Sequence, residues 1–311
     1  MEHIRVSGTN RDCGYQLGKA QSAGIKDRAR LYKASELALR KKKELESIHH
    51  LCRKVYPQYV DELSGISSGS GVGYMELLAL NCLELHGCSS IAIPGKHPAI
   101  YHNEDGWSSE SKAGFAMATF RLPTHSFTAF IYPGELPGAA FGWNSFGLIM
   151  TVNELSVLSG RSDSLPKVFV ARSILDCKDA KEAISKIALS KNDGGFHYYL
   201  YHTGEIFSIE QSGDRVSARK IMQKNCHTNH YIHDMFTGHG TRYMESRSRL
   251  RQLRDSSEPL EALFSSAKRY PVYCEGTGKS RTLATVAFYP NENRAIVFSS
   301  IKEKIEFNLT I

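Results

Sequence analysis

The chain has 311 residues, of which 41% are hydrophobic and 23% charged, and its formal net charge is +7. These values are typical of a globular protein with a sizeable core. No apolar run approaches the about 18 to 20 residues of a membrane helix, and the polar N-terminus has no signal-peptide core. We therefore expect a cytoplasmic protein, either cytosolic or organellar, without a membrane partner.

Cysteine usage and charge narrow the class of protein. There are 7 cysteines, and none form a CxxC pair, which favours a reducing compartment over a disulfide framework. The basic run 40–43 lies in a helical pattern and is typical of a solvated helix face. No aromatic residues accompany it in the way that nucleic-acid binding needs, so we expect no nucleic-acid partner.

The first part of the chain predicts helices. Residues 12–55 have an amphipathic surface pattern. The glycine- and serine-rich stretch 65–73 predicts a turn region. A short helix over 75–85 then leads to Gly87-Cys88, and a strand begins there over 88–93.

Beyond Cys88 the pattern changes to strands and then alternates between blocks of strands and helices. Short β-rich segments separated by turns are predicted at 99–102, 115–122, 126–132 and 146–152. Helices follow at 167–176, 179–190, 241–254 and 257–268. Hairpins are predicted over 197–210, with Thr203-Gly204 at the turn, and over 282–300. Such segregation favours an α+β fold of stacked layers over a βαβ alternation.

The cysteine at this helix-to-strand switch has two interpretations. A single cysteine in a strand is by default an inert core thiol. Gly87, however, leaves the preceding carbonyl accessible to the thiol. Attack on that carbonyl followed by hydrolysis would leave Cys88 as a new N-terminus, whose α-amine could serve as the base of the sulfur.

Asparagine and aspartate residues are candidates for a site. Asn103 and Asp105 are alternate residues at a strand end and share one side, although this stretch also suits a turn. Asn153 follows the apolar run after a hairpin around Asn144-Ser145, where it either contacts substrate or caps the strand.

The segment Cys226-His-Thr-Asn-His230 is rich in metal-ligand types. A zinc site needs about four ligands, and a strand would not bring His227, His230 and His233 together, so we expect no metal ion. An Asn229 amide directed at a developing oxyanion is the better functional interpretation. His230 is a candidate substrate contact, with Asn103 and Asn153.

The segment Gly276-Thr-Gly-Lys-Ser280 imitates the end of a phosphate-binding loop. That motif requires a glycine where this chain has Tyr273, and a helix where it has a strand. We therefore expect no nucleotide and no other cofactor. Arg281, at the strand entrance, could pair with a carboxylate.

Together these segments resemble the autoproteolytic isopenicillin N acyltransferase family of N-terminal-nucleophile (Ntn) hydrolases, which includes β-alanyl-amine hydrolases. The resemblance extends over most of the chain. Its motifs are Gly14-Tyr-Gln-Leu-Gly18, the region 59–71, Gly87-Cys88-Ser-Ser, His102-Asn-Glu-Asp105, Gly142-Trp-Asn-Ser-Phe-Gly-Leu148, Thr228-Asn-His230 and Gly278-Lys-Ser-Arg281.

The resemblance implies a four-layer αββα sandwich and cleavage between Gly87 and Cys88. The products would be an α subunit, 1–87, and a β subunit, 88–311. It also implies that Cys88 is the nucleophile, Asp105 the organising acid and Asn229 the oxyanion donor. Ser280 and Arg281 would form a pair tied to maturation and to Asp105.

Three functions are compatible with this resemblance. The first is a self-processing cysteine amidohydrolase that acts on a small amide or short peptide through a Cys88 thioester. The second is an acyltransferase that passes the acyl group to an amine, and the third is a non-catalytic binding protein. Ser-Ser-Ile after the cysteine and Asn-Glu-Asp at 103–105 depart from the penicillin-making enzymes, and the Asn-Glu-Asp form resembles the hydrolase branch more closely. The resemblance leaves a homo-oligomer open.

Overall fold

The structure is a computed structural model. It describes residues 1–83, 87–110, 114–156, 164–190, 194–236, 244–266 and 269–310.

The described chain forms helices and strands in alternating blocks. The helices are α1 Asn10–Ala20, α2 Ser22–Leu31, α3 Ala34–Arg40, α4 Lys42–Val55, α5 Pro57–Ser70, α6 Tyr74–Leu80, α7 Lys167–Ile174, α8 Ala180–Leu189, α9 Met244–Asp255 and α10 Pro259–Leu263. The strands are β1 Glu2–Ser7, β2 Cys88–Ile93, β3 Ala99–Trp107, β4 Ala116–Arg121, β5 Ser126–Ile131, β6 Phe141–Asn144, β7 Ile149–Leu155, β8 Gly195–His202, β9 Glu205–Ser212, β10 Arg215–Lys220, β11 Asn225–His227, β12 Ser280–Tyr289, β13 Arg294–Ser300 and β14 Glu303–Asn308.

The strands form two sheets. One has eight strands in the order β1-β4-β5-β6-β7-β8-β9-β10, and the other has six in the order β11-β2-β3-β12-β13-β14. Strand β1 pairs in parallel with β4, whereas β2 pairs antiparallel with both β3 and β11. The strand that begins at Cys88 is therefore an inner strand of the six-stranded sheet.

The two sheets pack face to face between layers of helices. Phe288 of one sheet meets Phe141 and Trp143 of the other, with ring centroids 6.3 and 5.8 Å apart. Helix α7 covers the outer face of the eight-stranded sheet, where the Arg172 guanidinium lies 4.3 Å from the Phe127 ring centroid. Helices α9 and α10 cover the other sheet, packing on Ile91. The fold is the expected α+β, four-layer αββα sandwich.

The glycine-rich stretch predicted as a turn is instead the second half of helix α5. The helix continues to Ser70 and ends at Gly71, which has a φ of 75°. Its Gly65 lies against the backbone of α1, where a Cβ would be 2.2 Å from the carbonyl oxygen of Arg11. Glycine therefore serves close helix packing here, and the prediction of a turn is wrong for that reason.

The N-terminal segment is tied to the rest of the chain by a buried group of charges. Arg172 of α7 forms an ion pair with Glu62 of α5 at 2.9 Å, and neither side chain is exposed. Arg172 also pairs with Asp176, which accepts a hydrogen bond from Tyr59. A buried charge that loses its partner is strongly destabilising, so these contacts hold 1–83 against the sheets.

Most predicted elements are present, and the remaining differences lie at strands that the sequence signals poorly. Helices α7 and α8 and the hairpin turned at Thr203 and Gly204, both with positive φ, occur as predicted. Strands β1, β10 and β14 were not predicted. Strand β3 runs to Trp107 and includes Asn103 and Asp105, which excludes the turn alternative. None of the described helices has the length and apolar character needed to cross a membrane.

We predict that Gly65→Ala destabilises the protein by at least about 2 kcal/mol, because the new Cβ would overlap the backbone of α1. Gly73→Ala is the matched control, since a Cβ there would lie 3.5 Å from its nearest neighbour. Urea unfolding followed by circular dichroism measures both. Equal stability of the two variants would contradict this account of the α1–α5 contact.

Candidate active site

Cys88 is the first residue of β2 and lies directly opposite Glu104 of β3. The Asp105 backbone N–H donates to the Gly87 carbonyl oxygen at 2.9 Å. This bond flanks the Cys88–Glu104 pair and makes it a non-hydrogen-bonded pair, the type in which opposing side chains come closest. The register thus brings the Glu104 carboxyl group to the thiol.

The Gly87–Cys88 peptide is held on both of its polar atoms. Its carbonyl oxygen accepts from the Asp105 N–H, and its N–H donates to Asn229 Oδ1 at 3.0 Å. The Cys88 carbonyl oxygen accepts from Arg249 Nη1 at 2.7 Å. Hydrogen bonds to side chains thus fix the backbone at the start of β2, in addition to the bonds of the strand pairing.

The thiol itself is buried and protonated. Cys88 is 2% exposed, and its thiol donates to Glu104 Oε2 with Sγ and Oε2 3.3 Å apart. Burial raises the pKa of the Cys88 thiol well above its ordinary value, Glu104 raises it further, and a backbone hydrogen bond from Glu154 opposes the rise. Because the thiolate is the nucleophilic form of cysteine, this thiol would need a base in order to react.

Glu104 has two further partners between the sheets. Tyr132 donates its hydroxyl to Oε1, and His102 Nε2 is hydrogen-bonded to Oε2 at 2.9 Å. His102 also bonds Ser90 through Nδ1 at 2.8 Å. Burial lowers the pKa of His102 to about 3, which keeps the imidazole neutral. Burial also raises the pKa of Glu104 well above its ordinary value.

The Asn229 amide has one chemically permitted orientation. Its Oδ1 accepts from two donors, the Cys88 N–H and Arg249 Nη2 at 2.7 Å, and its Nδ2 donates to the Glu154 carbonyl oxygen at 2.9 Å. A flip would set donors against donors. The Asn229 NH₂ group is therefore already hydrogen-bonded in this structure, and its role as an oxyanion donor stays a prediction.

Arg249 of α9 is a site residue that the sequence analysis missed. Its guanidinium contacts the Cys88 carbonyl oxygen, Ser89 Oγ and Asn229 Oδ1 at 2.7 to 2.8 Å. It lies in an arginine-rich stretch that resembles a solvated helix face. The available signal was helical spacing, because Arg249 shares the buried face of α9 with Ser246, Leu250 and Leu253.

Asp105 lies beside Gly87 on the face of the sheet that is opposite the thiol. Asn103 shares this face, as the two-residue period predicts. Thr282 Oγ1 donates to Asp105 Oδ1 at 2.7 Å. Burial raises the pKa of Asp105 to about 6, and Arg249 and Thr282 oppose that rise. A Cβ on Gly87 would lie 3.3 Å from Asp105 Oδ2, so the carboxyl group adjoins the peptide at Gly87.

The structure does not bring Arg281 to Asp105. In the β3–β12 register, Thr282 lies opposite Asp105 and Arg281 opposite Gly106. Side chains alternate along a strand, so Thr282 takes the position expected of the arginine. A Cβ on Gly276 would lie 2.5 Å from Arg281 Nε. No hydrogen bond or ion pair joins Arg281 to Asp105 in the described structure; the charged neighbour of Asp105 is Arg249.

The three residues predicted to bind substrate have other partners. Asn103 donates to the carbonyl oxygens of Leu263 and Val272 and holds the loop after α10. Asn153 is hydrogen-bonded to Ser90 Oγ between the sheets at 2.7 Å. His230 is hydrogen-bonded to Ser246 Oγ at 2.7 Å, and burial lowers its pKa to about 4.

A cavity of about 790 Å³ opens over Gly87 and Asp105. Asn229, Arg249 and Ser280 also line it, while Glu245, Arg269, Glu275 and Lys279 supply charges of both signs. Such a volume suits a small organic ligand. Among the predicted residues, this cavity brings together Gly87, Asp105, Asn229 and Ser280.

Cys88, His102 and Glu104 also present three atoms of metal-ligand type within 4.8 Å of one another. Direct hydrogen bonds already join the sulfur and the imidazole to Glu104 Oε2. His227 of the histidine-rich segment pairs instead with Glu210, and His230 with Ser246. The arrangement is a hydrogen-bonded chain, and we assign no cofactor to it.

Comparisons with known proteins identify relatives of this chain. Residues 94–300 match the family described as acyl-coenzyme A:6-aminopenicillanic acid acyl-transferase. The β-alanyl-dopamine/carcinine hydrolase of Drosophila melanogaster is 23% identical over 58% of this chain and 55% of that protein, so this chain spans about half of its length. The 40 kDa form of the acyl-coenzyme A:6-aminopenicillanic-acid-acyltransferase of Emericella nidulans is 21% identical over 93% of this chain and 89% of that protein.

Two solved structures are also similar. Penicillin V acylase from Agrobacterium tumefaciens is 13% identical, covers 72% of this chain and 86% of its own, and has a TM-score of 0.45. A mutant of the conjugated bile acid hydrolase from Clostridium perfringens is 10% identical, covers 72% of this chain and 94% of its own, and has a TM-score of 0.43. The family match spans most of the chain, from β3 to the end of β13, and on that ground the chain belongs to the acyl-coenzyme A:6-aminopenicillanic acid acyl-transferase family.

Proposed function

We propose that this chain cleaves itself between Gly87 and Cys88 and then acts as a cysteine amidohydrolase. The doubly held Gly87–Cys88 peptide carries this proposal. Its carbonyl oxygen accepts a hydrogen bond from the Asp105 N–H, and its amide N–H donates to Asn229. The Cys88 sulfur lies next to this peptide and is the nucleophile. A carbonyl that is already bonded to a fixed N–H is ready to take negative charge.

The cleavage proceeds through a thioester. The Cys88 sulfur attacks the Gly87 carbonyl carbon, and the oxyanion forms at the atom that bonds the Asp105 N–H. The C–N bond then breaks, the nitrogen leaves as the α-amine of Cys88, and the acyl group remains on sulfur. Water hydrolyses this thioester and leaves Gly87 as a carboxylate at the end of 1–87 and Cys88 as the first residue of 88–311.

Turnover would reuse the same positions. The new α-amine has an ordinary pKa of about 7.7 to 8.0 and can take the thiol proton. The acyl carbonyl of a substrate would occupy the place of the Gly87 carbonyl, next to the Asp105 N–H. Asp105, which adjoins Gly87, would then hold the α-amine in place. Arg249, which also adjoins Gly87, would hold Asn229. The cavity of about 790 Å³ fits a small amide as the substrate class.

Acyl transfer is the second candidate function, and one comparison favours it. The Emericella nidulans protein, which matches 93% of this chain, is an acyltransferase. Hydrolysis and transfer share the acyl-thioester on Cys88 and differ in whether water or an amine accepts the acyl group. A cavity large enough for an acyl group and an amine together is compatible with either outcome.

We predict that the purified wild-type protein separates into two polypeptides, ending at Gly87 and beginning at Cys88. The Cys88→Ala variant stays intact because it lacks the nucleophile. Cys226→Ala is the control, since it removes a buried thiol from the neighbouring strand β11. Mass spectrometry of the denatured proteins measures the result, and an intact wild-type chain with full amidase activity would contradict self-cleavage.

We predict that Arg249→Gln slows self-cleavage by about 10- to 100-fold, because a charged hydrogen-bond donor to the Cys88 carbonyl and Asn229 is worth about 1.5–3 kcal/mol. Arg281→Gln has the smaller effect, since its side chain does not contact Asp105. Time courses of the intact fraction compare the two variants. If Arg281→Gln slowed self-cleavage more than Arg249→Gln does, Arg281 and not Arg249 would be the arginine that supports cleavage.

We predict that the cleaved enzyme releases the amine from at least one of β-alanyl-dopamine, carcinine and penicillin V, and that Cys88→Ala does not. Liquid chromatography of the released amine and of the acyl product measures this. Added 6-aminopenicillanic acid serves as an acceptor. Hydrolysis predicts a free acid whose yield does not change with the acceptor, whereas a rise of acylated acceptor at the expense of acid would assign acyl transfer.

A further inference from the structure

We infer that Glu104 is the base that removes the thiol proton of Cys88 during self-cleavage. This inference rests on the proposed self-cleavage and names a catalytic residue for that step. It assigns maturation and turnover to different bases, because the α-amine used in turnover does not exist before the cut.

The uncut chain has a definite need for such a base. The thiol is buried and its pKa is raised, so thiolate is scarce at neutral pH. The nitrogen of Cys88 is an amide in the uncut chain. Its hydrogen points to Asn229 Oδ1, and an amide nitrogen has no basic lone pair to offer. The base of the first step must therefore come from another residue.

Among the residues that the structure describes, the carboxyl group in contact with the Cys88 sulfur is that of Glu104. The distance from Oε2 to Sγ is 3.3 Å. Asp105, the acid that the family motif indicates, faces the other side of the sheet and bonds Thr282. The Glu154 carboxyl group forms an ion pair with Lys167. Position thus selects Glu104 over its two acidic neighbours.

The partners of Glu104 hold it in a reactive position. Tyr132 occupies Oε1, which leaves Oε2 directed at the sulfur, and His102 bonds the same Oε2. Neutral His102 and Tyr132 are positioning residues, since each acts on the sulfur through the carboxyl group that it bonds. Burial raises the pKa of Glu104, and the hydrogen bonds from Tyr132 and the Cys88 thiol oppose that rise. The ionised form accepts the proton, and a raised pKa makes that form a stronger acceptor than an exposed carboxylate.

Glu104 alone can both accept and return the proton that this step transfers. As the bond from sulfur to the Gly87 carbon forms, the S–H bond breaks and the proton moves to Glu104 Oε2. As the bond between the Gly87 carbon and the Cys88 nitrogen breaks, Glu104 returns this proton to the nitrogen. The step begins from ionised Glu104, the products are a thioester and a free amine, and Glu104 is again a carboxylate at the end.

Full-length Glu104→Gln tests this inference. The amide has nearly the same shape but no basic oxygen of carboxylate strength, so self-cleavage slows by about 100-fold or more, the range of general base catalysis. Glu104→Asp keeps a carboxylate one methylene farther away and cleaves at a rate between the two. Glu210→Gln is the matched control. Like Glu104, Glu210 is a buried carboxyl group that is hydrogen-bonded to a histidine, here His227. Unlike Glu104, it does not contact Cys88 in the described structure.

Freshly translated chains are incubated with and without hydroxylamine, and the cleaved fraction of folded protein is followed by mass spectrometry. Hydroxylamine cleaves a thioester, so it reports whether the sulfur has already attacked. The inference expects Glu104→Gln to stay uncut even with hydroxylamine, and activity per cleaved molecule to fall far less than the cleavage rate. If the Glu104→Gln variant does not fold, the ratio of the Glu104→Asp rate to the wild-type rate gives the same test.

Two results would overturn the inference alone. One is a Glu104→Gln chain that cleaves as fast as the wild type, and the other is hydroxylamine restoring its cleavage, since the thioester would then form without Glu104. A wild-type chain that stays uncut would instead remove the proposed self-cleavage and this inference with it.

Discussion

The antiparallel pairing of β2 with β3 determines which atoms meet the Gly87–Cys88 peptide. The bond from the Asp105 N–H to the Gly87 carbonyl sets the register, and that register places Glu104 opposite Cys88. A slip by one residue would turn every side chain of β3 to the other face. Asp105 would then point between the sheets, Glu104 would point at α9, and neither the peptide nor the thiol would keep its partner.

Because of this alternation, one short strand supplies two chemically different environments. The face between the sheets carries His102 and Glu104, both without exposure to solvent. Tyr132 reaches Glu104 from the opposite sheet, and Asn153 reaches Ser90, so both sheets contribute to this layer. The face toward α9 carries Asp105, next to Arg249 and the open cavity. The sulfur therefore lies in the buried layer between the sheets, while the Gly87–Cys88 peptide borders the open cavity.

The sequence predicted the parts of this arrangement that depend on local pattern. The layered α+β class and the helices α7 and α8 followed from periodicity, and Asn103 and Asp105 share a face because strands repeat every two residues. Long-range register is not a local property. Nothing in the residues near Arg281 shows that Thr282 lies opposite Asp105, and nothing near Arg249 shows that α9 turns this arginine toward β2.

Two further differences between the prediction and the structure also arise from contacts that are distant in sequence. Gly65 and its neighbours have the composition of a turn, and only the contact with α1 makes that composition suit a helix. Strand β1 is short and charged, and it forms because β4 offers an edge for parallel pairing. In both cases a partner distant in sequence decides the structure, and the local propensity is overruled.

The buried contact of Arg172 with Glu62 has a consequence for a chain that is cut after Gly87. If the segment before the cut departed, the Arg172 guanidinium would lose Glu62 and would keep only Asp176 as an anionic partner among its described contacts. The segment would also take away an edge strand of the larger sheet. A chain cut at this peptide bond would therefore keep its two polypeptides together, because each would lose buried contacts on separation.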